Sequence, residues 1–492
     1  MIFLTPLRKA PEGSDMKVRG SMTVFAALLF MLVASLLFAL LEAARVNMLE
    51  AYANMTSEMA VESVFAEYQP GLWEDYHLLC LDGAYGGTAF SEEYVTGALD
   101  TRIRMNLDMQ GDGSRIMELA YTSAIPEEYQ VLTDGNGRVF LQCISDYMQE
   151  NLPLMAVQAL YERYAGEQAI EEGKSVDDSV QNAKEALEEV QRQKKVRTQN
   201  ENPIDTVLSC KQSLLLGMVV KDVESLSAQK LVQADCLQKR VLQSGTNTQI
   251  PEVEWYDRIL VLEYADNFFS DYSAPQNDRA LAYELEYVVC GKASDRENLE
   301  AVVERLLLAR EAANVIHIML NQEKRLVISE AAVALAGATA NPAVVKVVEY
   351  GLIGAWAYAE SILDIRALLC GDRIALIKNE EQWTSSLMNL SQILEGSLCA
   401  SDCEGGWSYQ DYLKGFLLTM TERNLAYRMM DVMEQNIRRT YAYRNCRMDH
   451  MLSAASYMIT YEADSLFWNF SILPHNDIGS LQYQMMQSFS YY

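Results

Sequence analysis

The sequence predicts an α+β protein: a long N-terminal transmembrane and stalk helix, then a predominantly helical exported domain with a small antiparallel sheet that includes a C-terminal β-hairpin. Three observations predict it. An uncharged run from Ser21 to Leu41 continues without Gly or Pro into "EAARVNMLEAYANMTSEMAVESVFAEY". The middle of the chain carries apolar residues at helical spacing between capping residues, and the tail alternates apolar and polar residues in "ASYMITYEAD" and "LQYQMMQSFSYY".

The apolar run comes first in the chain and in the argument. A hydrocarbon core of about 30 Å needs roughly 20 helical residues at 1.5 Å each. The run supplies that length in Met22, Val24, Phe25, Leu28, Leu29, Phe30, Leu32, Leu36, Leu37, Leu40 and Leu41 among others. A removable secretory signal has a shorter apolar region of about 7–15 residues and a small-residue cleavage site. A retained anchor over 21–42 is therefore the reading taken. Cleavage near "LEAARV", where Ala43 and Ala44 are small, and a soluble core helix stand as its alternatives. The lead, 1–20, holds Arg8, Lys9, Lys17 and Arg19 against Glu12 and Asp15. Basic flanks are retained on the cytoplasmic side, which makes this a single-pass protein of the cell membrane, N-terminus inside and the bulk of the chain extracytoplasmic, with membrane lipid as a partner. The helix is expected to continue over 43–70 to about Tyr68, stopped by Pro70 and Gly71, with Met55, Met59, Val61, Val64 and Phe65 on one face.

Residues 71–492 then form the exported α+β domain. Strands are expected near Ile116 to Thr122 and at Tyr129 to Leu132, a turn at "DGNG", and a helix from about Val139. The stretch at about 165–203 reads as a charged, solvated insertion. "LAYELEYVVCGK" alternates Leu281, Tyr283, Leu285, Tyr287 and Val289 with Glu284 and Glu286, a strand pattern. Ser294, three before Glu297, opens an amphipathic helix through Leu299, Val302, Val303, Leu306 and Leu307. Pro342 opens another that runs to Cys370 before Gly371, with Gly351 and Gly354 as small residues for close packing. One or two more helices follow from "YQDYLKGF", and "PHND" with Gly479 forms the turn between the tail strands.

Composition narrows the function. The net charge of −28 argues against nucleic acid, whose phosphates demand a basic surface. Nine cysteines at irregular intervals do not form a disulfide framework. Cys399 and Cys403 could close a small loop; zinc lacks a second ligand pair. The four histidines have no metal-binding spacing, and His77 three before Cys80 is a weak thiol–base pair. No phosphate cradle, GxSxG elbow or EF-hand loop is present. Carboxylate pairs such as Asp411 with Glu422, or Glu360 with Asp364, read equally as solvated, ion-paired or catalytic. No cofactor, metal or catalytic set is expected.

"RGSMTVFAALLFMLVASLLFALLEAARV" resembles the amino-terminal segment of TadE/TadG-like pseudopilin proteins of tight-adherence (Flp-type) pilus systems. Together with "SVFAEYQPGLWEDYHLLCLD", "YELEYVVCGKASDRENLEAVVERLLLAREAANVI", "AWAYAESILDIRALLCGDRIALIK" and "DYLKGFLLTM", it is similar to membrane-anchored proteins of Gram-positive, clostridial-type bacteria associated with Tad/Flp pilus-like loci. The resemblance implies a non-enzymatic cell-surface protein, an accessory or minor pseudopilin-like component of a Tad-like pilus or secretion assembly. It also implies partners among other pseudopilin or Tad-type proteins, met through the N-terminal helix, and processing between Gly20 and Ser21. Pilin precursors carry a glutamate five residues into the mature helix, where this chain has Phe25. A membrane-tethered extracellular hydrolase and a ligand-binding or sensor head are the alternatives.

Overall fold

A computed structural model describes residues 20–108, 115–151, 215–336, 342–390, 393, 396, 398–466 and 480–492. The lead up to residue 19, the charged insertion and the "PHND" turn lie outside the described residues. The elements run α1 (Gly20–Phe65), α2 (Pro70–Tyr76), β1 (Leu81–Asp82), α3 (Glu92–Asp108), β2 (Ala120–Val131), α4 (Asp134–Asn151), α5 (Leu215–Val219), α6 (Trp255–Phe268) and α7 (Glu284–Cys290). They continue through α8 (Asp295–Leu320), α9 (Gln322–Ala336), α10 (Pro342–Leu369), α11 (Tyr409–Leu418), α12 (Glu422–Ile437), β3 (Met451–Ala463) and β4 (Leu481–Ser490). The chain is helix-rich with a small antiparallel sheet that includes the C-terminal strands, and it divides into two units.

The first unit combines α1 with residues 95–127 and 456–488, so the amino-terminal helix shares a unit with the C-terminal strands. β3 is the central strand, paired with β1, β2 and β4. β2 is one continuous strand of 12 residues where the sequence suggested two pieces, and Ile116 lies before it in a short 3-10 turn. One side of the sheet is more deeply buried, as β4 shows by alternating exposed and partly or fully buried residues.

The second unit takes in residues 67–94, 128–455 and 489–492. Its core is built from α4, α6, α7, α8, α10, α11 and α12. The "DGNG" turn is a left-handed one: Gly135, Asn136 and Gly137 all have positive φ, after which the helix proceeds. A Cβ on Gly137 would come within 2.5 Å of the Ala426 side chain, so glycine is required there by both backbone and space. Ser294 caps α8 by accepting from the Glu297 N–H, as its spacing predicts. Pro342 opens α10, and Gly371 follows it with φ 97°. Gly354 is not a close-packing point, since a Cβ there would meet nothing within 4 Å.

Polar groups join these helices. Arg310 of α8 is 0% exposed. Its Nε donates to Asp364 Oδ2 of α10 at 2.9 Å, and its Nη1 to the Ala375 and Leu376 carbonyls and the Tyr412 hydroxyl of α11. Asn314 also donates to Asp364, and Lys378 pairs with both Asp364 and Glu360. This is why charged residues interrupt α10 without exposing it: their partners are inside.

The expected strand over Leu281 to Val289 is overturned. Residues Glu284–Cys290 form α7, ended by Gly291 in the left-handed region. The alternation misleads because both sets of residues are buried. Glu284 Oε2 accepts from the Ser270 N–H and Arg279, and Glu286 Oε1 accepts from the Tyr272 N–H and the Tyr409 hydroxyl. Acidic residues at every second position here mark internal acceptors, not a wet face.

Glu286 carries a pH dependence. Burial pushes its carboxyl from near 4.5 up to about 8, against the hydrogen bond from Tyr409, which lowers it, and with the nearby Asp271, which raises it. Between those two values the folded protein holds a proton that the unfolded chain has released. Stability therefore falls as pH rises across that window, with a slope of about 1.4 kcal/mol per pH unit from this group. Glu286→Gln is expected to match the wild type near pH 5 and exceed it near pH 8 in denaturant titrations. Equal stability of the two proteins at both values would refute the buried, protonated carboxyl.

Candidate functional site: the apolar helix and its seat

Helix α1 contains 46 residues, about 69 Å of helix. Leu, Ala, Met and Phe dominate its first half, and after Gly20 no Gly or Pro interrupts it. Met22, Val24, Phe25, Leu28, Leu29, Phe30, Met31, Leu32, Val33, Leu36, Leu37, Leu40 and Leu41 are each 45–81% exposed. Large side chains gain about 1.5–3 kcal/mol apiece on leaving water, so thirteen of them on one uncovered helix call for an apolar surrounding that the fold does not supply. Among the described residues this is the one helix long and apolar enough to cross a membrane, with a mean hydropathy of 2.9 over its most apolar window. Gly20 and Ser21 stand at its first turn.

Immediately after the run the environment reverses. Glu42 is 2% exposed and Arg45 3%. Their side chains pair at 3.2 Å. Arg45 Nε donates to the Ile116 carbonyl at 2.6 Å and its Nη1 to the Asp464 carbonyl at 2.8 Å, while the Leu466 N–H donates to Glu42 at 3.3 Å. The charges that end the apolar run thus tie α1 to the chain ahead of β2 and to the end of β3.

Beyond the pair, Leu49, Tyr52, Ala53, Thr56, Ser57, Ala60, Val61, Val64 and Phe65 are buried, the stripe of a helix laid on a sheet. Ser57 and the Tyr461 hydroxyl of β3 are 2.8 Å apart, and Gln487 of β4 donates to Asn54 at 2.7 Å. Burial raises the Tyr461 hydroxyl to about 12, so it stays protonated. Met55 and Met59, expected on the packed face with Val61, Val64 and Phe65, are about half exposed and lie outside this stripe. The helix ends at Phe65, and Pro70 opens α2.

The other candidate groups are accounted for one by one. His77 ends α2 in the left-handed region with Nδ1 against the Trp73 carbonyl, and the Cys80 thiol is held well above its usual value by burial. Asp411 completes the capping box of α11 with Ser408, and Glu422 pairs with Arg138 at 2.8 Å. Among the described residues no three His, Cys, Asp or Glu gather as a metal site. A cavity of about 210 Å³ in the second unit is lined by Glu67, Tyr68, Asp82, Tyr85, Tyr443 and Cys446 among others. Burial raises the Cys446 thiol to about 12, far from a nucleophilic thiolate.

Residues 193–463 match the model of a family of unknown function, DUF5702, over more than half of the chain. The chain belongs to DUF5702. No curated protein and no solved structure matches it. The DUF5702 region contains α5 to α12 and β3 and leaves α1 and β4 outside it. It also contains Cys399 and Cys403, whose possible bridge is not formed. Cys403 is held in a turn instead, its N–H donating to the Arg373 carbonyl and its sulfur accepting from Gln382, while Cys399 interacts with Cys370.

The signal missed in the sequence is the seat of α1. Glu42 and Arg45 are visible as the end of the apolar run. Their partners at Ile116, Asp464 and Leu466 are 71 to 424 residues away, and no local pattern announces them.

Proposed function

We propose that this DUF5702 protein is a non-enzymatic, single-pass cell-surface protein, anchored by residues 21–42 with the lead in the cytoplasm. It serves as an accessory or minor pseudopilin-like component of a Tad-like pilus or secretion assembly. One observation carries the reading: a single helix is apolar and uncovered over Met22 to Leu41, then seated on a sheet through Glu42 and Arg45. The exposed half offers its surface to lipid and to the apolar helices of other pseudopilin or Tad-type proteins. The seat transmits position, since a helix tied by buried charges cannot swing freely relative to the sheet it lies on. The resemblance of the residues from Arg19 to Val46 to TadE/TadG-like amino termini supports the assembly role.

Protease treatment of intact cells, followed by mass analysis of the membrane-retained fragment, tests it. The expected result is digestion of the chain beyond the span and retention of a fragment containing Met22 to Leu41. A fragment starting at Ser21 adds processing at Gly20; one that keeps Arg8 to Arg19 makes the anchor permanent.

A further inference from the structure

The sheet has two outer edges, and they are built differently. β2 carries Pro126, which has no donor, beside the exposed Glu127 and Glu128. Near its end the Tyr129 carbonyl accepts from the Thr246 and Asn247 N–H groups at 3.0 and 3.1 Å. Proline, charge and a covering segment are the usual defences of an edge strand.

Among the described residues β4 shows none of them. Leu481–Ser490 reads LQYQMMQSFS, ten residues without proline or charge, in a chain of net charge −28. Tyr491 N–H donates to the Ser453 carbonyl at 3.2 Å, and Gln482 reaches Glu462 across the pair at 3.0 Å. By the alternation of an antiparallel ladder, the odd-numbered residues then turn their main-chain groups to β3. Gln482, Gln484, Met486 and Ser488 turn theirs outward, on the side where no further strand pairs with β4 among the described residues. Their side chains are exposed as well, Met486 by 62%.

We infer that β4 pairs antiparallel with β4 of a second copy of this chain. The edge is self-complementary: in a two-fold pair each strand offers the other the same outward N–H and C=O groups, forming about eight main-chain hydrogen bonds. Gln482 then faces the second copy's Ser488 and Gln484 its Met486, uncharged side chains throughout, so no like charges are opposed. In an otherwise strongly acidic chain most self-contacts repel, and a neutral edge is where two copies can approach. This pairing lies apart from the apolar half of α1, so the two claims fail separately.

The test uses the full chain in detergent micelles. The wild type is expected to have the mass of two 55.5 kDa chains at micromolar concentration. The double variant Gln484→Lys/Met486→Lys, with both side chains on the exposed face, is expected to raise the dissociation constant at least a hundredfold. Its melting temperature and membrane association should be unchanged. Hydrogen exchange on the wild type gives a check independent of any variant: the Gln484 and Met486 amides should be protected when concentrated and exchange freely when diluted. A wild type that is monomeric throughout, a pair that survives the two lysines, or amides whose exchange ignores concentration would overturn the inference. A pair that survives the lysines would place the contact elsewhere, α1 included.

Discussion

Leu28→Arg/Leu32→Arg/Leu36→Arg is expected to move the protein from the membrane pellet to the supernatant on alkaline extraction. The three positions lie four residues apart on one face of α1, and all are more than half exposed. An arginine near the centre of a spanning helix costs about 2.5–3.5 kcal/mol, so three cost roughly 8–10 kcal/mol. That is enough to abolish insertion of a helix whose apolar run is barely longer than a bilayer requires. The fold should be indifferent, because these side chains contact no core, and circular dichroism of the released protein should match the wild type. Recovery of the triple variant in the pellet at the wild-type level would mean that something other than α1 holds the protein there.

Arg45→Leu is expected to loosen the first unit by about 3–5 kcal/mol, the usual cost of leaving one member of a buried pair without its partner. Glu42 would remain 2% exposed without the guanidinium that neutralises it, and the Ile116 and Asp464 carbonyls would lose their donor. Hydrogen exchange of the amides in 120–127 and 456–463 should speed up by about two to three and a half orders of magnitude, at 1.4 kcal/mol per tenfold. Glu42→Leu/Arg45→Leu removes both charges and should cost less than Arg45→Leu alone, the remainder being the unpaired backbone groups at about 1–3 kcal/mol. If the single variant exchanges like the wild type, the pair does not hold α1 to the sheet.

What the sequence reveals depends on how far away the determining partner lies. The anchor run is legible because its surroundings are imposed by a medium of fixed thickness, which any uncharged stretch of that length satisfies without help from the rest of the chain. Ser294, Pro342 and Gly371 are legible because caps act within one turn. The tail strands are legible because one of their faces is open, so that polarity tracks exposure. Residues Glu284–Cys290 break that link: Glu284 and Glu286 are polar and fully buried, held by hydrogen bonds from Ser270, Tyr272, Tyr409 and Asn436 of other elements. Cys399 and Cys403 are near in sequence yet held apart by a turn that pairs Cys403 with Arg373. The seat at Glu42 and Arg45 arises from segments brought together across 71 to 424 residues, whereas β4 pairs with its near neighbour β3 and its outer position follows from β2 lying on the far side of β3; only the fold shows them.

Protease shaving of intact cells tests the central claim most directly. The account predicts that everything beyond the span is digested from outside and that the membrane retains one short fragment containing Met22 to Leu41. Full protection of the chain until the cells are broken, or loss of the Met22 to Leu41 segment from the mature protein, would contradict it.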